Sequence, residues 1–170
     1  MYSEEVIDAY TWAYANDITT INSFEKATPN KVMIRWHMAK VVVNYMVNVL
    51  WKEMPKDIPA HCKWNDKEKD WGSKEMKSYW EKACALWIMW INTKKFQPKK
   101  TVSRAEFWTI LSRILWWDKY NIDNPTKDKP YYINHLKSLK ENWIMKQIDN
   151  PRRDELREWV WVMLRRTTKK

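Results

Sequence analysis

Three times along this chain a proline stands six residues ahead of an arginine: Pro29 and Arg35, Pro98 and Arg104, Pro151 and Arg157. The segments read PNKVMIR, PKKTVSR and PRRDELR, and each arginine is followed three positions on by an apolar residue, Met38, Phe107 or Val160. Upstream of each stands a matching tetrad: NDIT (Asn16–Thr19), LWIM (Leu86–Met89) and NWIM (Asn142–Met145). Each unit therefore reads as a helix, a tight exit, a loop with proline and a second helix led by arginine. A lone pair of helices of roughly 40–50 residues cannot bury its own apolar faces, so three such units must pack together. The expected boundaries are 1–52, 63–117 and 130–167, forming one structural domain.

Apolar spacing supports six helices. Val6, Tyr10, Ala13 and Tyr14 form a stripe between Glu4 and Ala15; Met38, Val41, Val42, Tyr45 and Val49 form one from about Arg35 to Trp51. Met76, Tyr79, Trp80, Ala83 and Leu86 mark a third helix, and Phe107, Ile110, Leu111, Ile114 and Leu115 a fourth. Leu136, Leu139 and Trp143 suggest a fifth from about Tyr131. Val160, Met163 and Leu164 suggest a sixth, ending in Arg165-Arg166, where cations suit the helix dipole. Polar connections carrying proline fall at 52–72 and 117–130, and no strand is evident. The expected fold is all-α.

Two counts in the 170 residues are abnormal: one Gly and 14 Trp. A chain with Gly72 alone can write neither G-x-G-x-x-G nor G-x-x-x-x-G-K, so phosphate-cradling loops are excluded. Hairpin-rich folds, which need Gly in primed turns, are disfavoured. The net charge of +10 points to a polyanionic partner or to a lysine-rich solvated surface. Leu86 to Ile91 is the densest apolar run and is too short for a membrane span. The opening Met-Tyr-Ser-Glu-Glu is not a secretion signal, so an exported protein would carry this chain as a fragment.

Cys62 and Cys84 leave two readings open, a disulfide in an oxidising compartment or two buried thiols. His61 beside Cys62 lacks the C-x-x-C or H-x-x-x-H partner a zinc site needs, so no metal or other cofactor is expected. His37, His61 and His135 are scattered, and no carboxylate pair, Ser/His or Cys/His arrangement has support from spacing. The expectation is a non-enzyme, with His37 and His135 as boundary residues on helices rather than catalysts.

The middle unit carries the clearest local chemistry. Ser103-Arg104-Ala105-Glu106 is a capping box, in which Ser103 accepts from the Glu106 N–H and the Glu106 carboxylate returns to the Ser103 N–H. Arg104 then stands in the first turn beside unpaired backbone donors, a seat for a carboxylate or phosphate. The alternative is that Arg104 pairs with a nearby carboxylate and locks the loop.

Phe96-Gln97-Pro98 followed by Val102-Ser103-Arg104-Ala105-Glu106-Phe107 resembles the S-layer homology domain, whose pattern is an F-x-P turn and an I/V-T-R-A-E helix start. Trp64-Asn65-Asp66 is similar to its opening aromatic-x-Asp, and Leu86-Trp87-Ile88-Met89-Trp90 to its L-G-I-M-x-G exit. The outer units are degenerate: Ile34 and His37 replace the cap and the glutamate in the first, Leu156 and Trp159 in the third. The resemblance implies a pseudo-threefold bundle with ligand grooves between neighbouring units. It implies a non-catalytic module that holds a longer surface protein on the bacterial envelope by binding acidic, often pyruvylated, cell-wall polysaccharide. Arg104 would meet the carboxylate, with Arg35 and Arg157 in matching positions, and Asp66 would meet sugar hydroxyls or cap a helix.

The same comparison bears on the tryptophans. Trp87 and Trp143 fall where a helix must end, a site that usually takes Gly in the left-handed region; the first unit has Asp17 there. Trp36, Trp90, Trp108 and Trp117 also fall at family glycines, and Trp51 is a further candidate, whereas Trp12, Trp64 and Trp116 fit aromatic positions. One reading is that the source decodes UGA as glycine; the rival is a tryptophan-rich core or a sugar-stacking surface. The competing function is a helical nucleic-acid-binding protein. Against it, no helix gathers Lys and Arg on one face, and the arginines recur at loop–helix junctions, which suits discrete anion pockets better than a phosphate-tracking stripe.

Overall fold

The structure, a computed structural model, describes residues 1–63, 73–89 and 96–169. Among them the chain is all-helical, with α1 (Glu4–Ala15), α2 (Phe24–Ala27), α3 (Arg35–Asn48), α4 (Lys74–Ala85), α5 (Arg104–Trp116), α6 (Ile133–Glu141) and α7 (Arg157–Thr167), and a short 3-10 turn at Ala60–Cys62. The six helices expected from apolar spacing are present. The addition is α2, a single turn whose Ser23 hydroxyl accepts from the Lys26 N–H; one turn is too short to display a 3.6-residue period.

The principal helix contacts run between units rather than within them. α3 packs on α4, α5 on α6, and α7 on α1. Helices adjacent in the chain thus pair as α3 with α4 and α5 with α6, and α7 packs back on α1. These faces meet in one core that includes Val6, Tyr45, Met38, Leu111, Leu139 and Leu164. Arg166 pairs with Glu5 at 2.8 Å and Arg165 with Asp8 at 3.4 Å across the α1–α7 seam.

The proline-bearing loops meet in a second closed cycle. Met33 N–H donates to Glu155 O, Glu155 N–H to Val102 O, and Val102 N–H to Met33 O, at 2.7, 2.8 and 2.9 Å. Isolated antiparallel bridges join the same three segments: Val32 with Leu156, Ile34 with Thr101, and Ser103 with Asp154. Each bridge is isolated, so no strand forms among the described residues. No helix among them is long and apolar enough to cross a membrane.

Cys62 and Cys84 are joined by a disulfide with Cα atoms 5.5 Å apart, tying the 3-10 turn to α4. His61 lies within 4.8 Å of both sulfurs. The sulfurs bonded to each other are not thiolates, so this trio is not a metal-ligand set.

Candidate functional site: the arginines at the helix starts

Each motif arginine begins a helix, and its backbone is already engaged. Arg35 N–H donates to Lys100 O, Arg104 N–H to Arg153 O, and Arg157 N–H to Lys31 O. The following residues, Trp36, Ala105 and Glu158, donate to Pro98 O, Pro151 O and Pro29 O. The expectation of unpaired backbone donors beside Arg104 is therefore corrected. Carbonyls of the neighbouring unit's loop fill that seat, because the three loops converge on the helix starts.

The side chains follow the same cyclic order. One terminal nitrogen of each guanidinium donates to the carbonyl two residues before the next proline: Arg35 to Phe96 O, Arg104 to Asp149 O, Arg157 to Ala27 O, at 2.9, 2.9 and 3.0 Å. The other terminal nitrogen of Arg35 and Arg157 reaches the third residue of a neighbouring helix. Arg35 meets Glu106 Oε1 at 2.9 Å, and Arg157 meets His37 Nδ1 at 3.2 Å. By the same repeat the position facing Arg104 is Trp159, which cannot accept.

The three arginines consequently differ in charge environment. Arg35 is ion-paired. Arg157 also donates to Thr28 Oγ1, and burial followed by the Arg157 charge pushes His37 down to about 4, keeping it the neutral acceptor this contact needs. Arg104 has no ion pair and only one hydrogen bond from its guanidinium among the described residues, and it lies over the Trp108 ring at 4.6 Å. Its Nε and second Nη remain available.

The capping box that spacing predicts is present. Glu106 N–H donates to Ser103 Oγ at 3.2 Å, and Ser103 N–H to Glu106 Oε2 at 2.7 Å. Ile34 and Leu156 supply no side-chain cap. Glu106 therefore serves two units at once, capping its own helix and neutralising the arginine of the unit before. Its replacement by Trp159 in the third unit leaves Arg104 unpaired, so degeneracy in one unit changes the site of its neighbour.

Arg104 faces a groove shared with Lys146, Gln147, Asn150, Arg153 and Trp159. Beneath it Glu155 is buried; that burial pushes its carboxyl up to about 7, opposed first by Arg104. Spacing gave no sign of Glu155, because its depth comes from the meeting of three loops. A second cavity, bordered by Trp36, His37, Lys40, Arg157 and Trp161, lies between the first and third units.

His135 is not a boundary residue. It is buried, with Nδ1 2.9 Å from Ser112 Oγ, and Ser138 lies beside them. Spacing did not reveal this Ser/His pair, since 23 residues separate its members. Ser112 is also fully buried, so substrate has no path to the hydroxyl. His37 is half-buried on α3 and His61 is exposed, its ring 5.7 Å from that of Trp87. Asp66, Trp64 and Trp90 lie outside the described residues. Trp36 and Trp108 sit within α3 and α5, where glycine is not required, and Trp108 is fully buried. Trp51, Trp87, Trp117 and Trp143 all have positive φ. No protein-family model matches the chain, and no curated protein matches it.

Proposed function

We propose that this chain is a non-catalytic anchoring module of the S-layer homology kind, a pseudo-threefold bundle of three units that binds an acidic cell-wall polysaccharide at the cell surface. The observation that carries the reading is the unpaired guanidinium of Arg104 in a groove between units. Two free N–H directions on a planar fork match a carboxylate, and a pyruvyl or uronic acid group offers one. Lys146, Arg153 and Arg166 add positive charge beside the carboxylates of Glu5, Asp149 and Asp154, Gln147 and Asn150 offer donors and acceptors for hydroxyls, and the partly exposed Trp159 offers a ring face for a sugar. Arg35, neutralised by Glu106, and Arg157, turned toward Ala27, Thr28 and His37, serve mainly to staple units together. The partners are thus the polymer and the cargo of a longer surface protein.

The test is co-sedimentation with purified, protein-free wall sacculi. Binding is expected for the parent chain and for Lys137→Ala on the exposed face of α6, with at least a tenfold loss in Arg104→Ala and complete loss once the acidic polymer is stripped from the wall. Arg104→Ala that stays folded and sediments like the parent overturns the reading. So does a parent chain that ignores sacculi and shifts duplex DNA, which would return the +10 charge to a nucleic-acid role.

A further inference from the structure

Among the described residues, eight non-glycine residues have positive φ, and all eight fall at corresponding places along the chain. Thr28, Gln97 and Asn150 each precede the loop proline. Asp17, Trp87 and Trp143 follow the first helices, and Trp51 and Trp117 follow the second. Tryptophan thus holds four of eight positions that a bulky side chain disfavours and that Gly, Asn and Asp ordinarily take.

At the first-helix exits the backbone leaves no alternative. Trp87 N–H donates to Cys84 O and Ile88 N–H to Ala83 O; Trp143 N–H donates to Lys140 O and Ile144 N–H to Leu139 O. Asp17 and Ile18 repeat the pattern on Tyr14 O and Ala13 O. This is the Schellman ending, whose left-handed residue is most often glycine. Trp117 is more demanding still, with φ 58° and ψ −132°, mirror-image β backbone that only glycine enters freely.

The rings do not offset this cost. Trp51 and Trp143 are 83% and 88% exposed, and Trp87 and Trp117 are about half exposed. The 170 residues hold one Gly and 14 Trp, a shortage of the one beside an excess of the other. A single codon does both: UGA, which differs from the tryptophan codon UGG only in its last base and is read as Trp in some codes.

We infer that Trp51, Trp87, Trp117 and Trp143 are encoded by UGA, and that the cell producing this protein inserts glycine at all four. Trp36 and Trp108, on ordinary helical backbone, fall outside the inference. So do Trp12 and Trp116, which pack against Arg165 and Tyr120.

The test reads the gene and the natural protein together. The expected result is UGA at all four codons, with tryptic peptides of the protein from its own cells carrying the mass of glycine there. UGG at any of the four, or UGA codons whose natural peptides carry tryptophan, overturns the inference. In parallel, the recombinant chain bearing Trp87→Gly and Trp143→Gly is expected to unfold at a higher urea midpoint than the chain with both tryptophans. A lower midpoint overturns the backbone argument. Neither readout depends on polysaccharide binding.

Discussion

Burial holds the Glu155 carboxyl at about 7, against an ordinary 4.5. The folded chain therefore keeps a proton there that the unfolded chain has released. Stability from this group is complete below pH 4.5 and is lost as the pH rises toward 7. His37 and His135 act in the opposite sense: burial holds both at about 4 against 6.5, so their contribution is present above 6.5 and lost as the pH falls toward 4. Glu155→Gln is expected to remove the alkaline-side loss, raising stability at pH 8 by up to about 3 kcal/mol and leaving it nearly unchanged at pH 4. Urea midpoints of parent and variant across that range check this, and superposable profiles would sink it. Residue by residue, Ser103 and Glu106 were legible as a capping box because both bonds close within four positions of the chain. The partners of Arg35, Arg104 and Arg157 were not, because each belongs to another unit.

At the scale of the element, α5 carries the interdependence of units. Ser103→Ala removes one cap bond and is expected to cost about 1 kcal/mol. Glu106→Ala removes the reciprocal bond and also strands the Arg35 guanidinium, whose side chain is only 13% exposed, so it is expected to cost more than Ser103→Ala. A double-mutant cycle of Arg35→Ala and Glu106→Ala isolates the pair, with an expected coupling of roughly 1 kcal/mol. Coupling below about 0.3 kcal/mol would mean that the two groups act independently. The helices themselves were readable from stripes such as Met38, Val42 and Tyr45, since a 3.6-residue period declares which face is buried. It does not declare against what. The pairing of α3 with α4 rather than with its own unit's α1 depends on loop geometry that no stripe records.

Across the whole molecule, the disulfide is the one covalent tie between the long connection and the second unit. Closing a loop of 22 residues restricts the unfolded chain, and the double replacement Cys62→Ser with Cys84→Ser is expected to cost on the order of 3 kcal/mol. Comparing its thermal unfolding with that of the oxidised parent gives the answer; equal midpoints would assign the pair no structural weight. The sequence left disulfide and free thiols as alternatives because a spacing says nothing of distance. Three arginine-led segments were countable from the sequence, whereas spacing alone did not show that α7 packs on α1.

That return has a consequence for growth. An open stack of repeats leaves a vacant face at each end and lengthens by duplication. Here the last helix occupies the face that a fourth unit would need, and the loop carbonyls of the third unit's neighbour are already taken. On the proposed three-unit reading the valence is fixed at three, and an inserted unit would have to break the α1–α7 seam before it could join. Variation in a molecule built this way is confined to the connections between units, to the identity of the residue opposite each arginine, or to repetition of the complete ring.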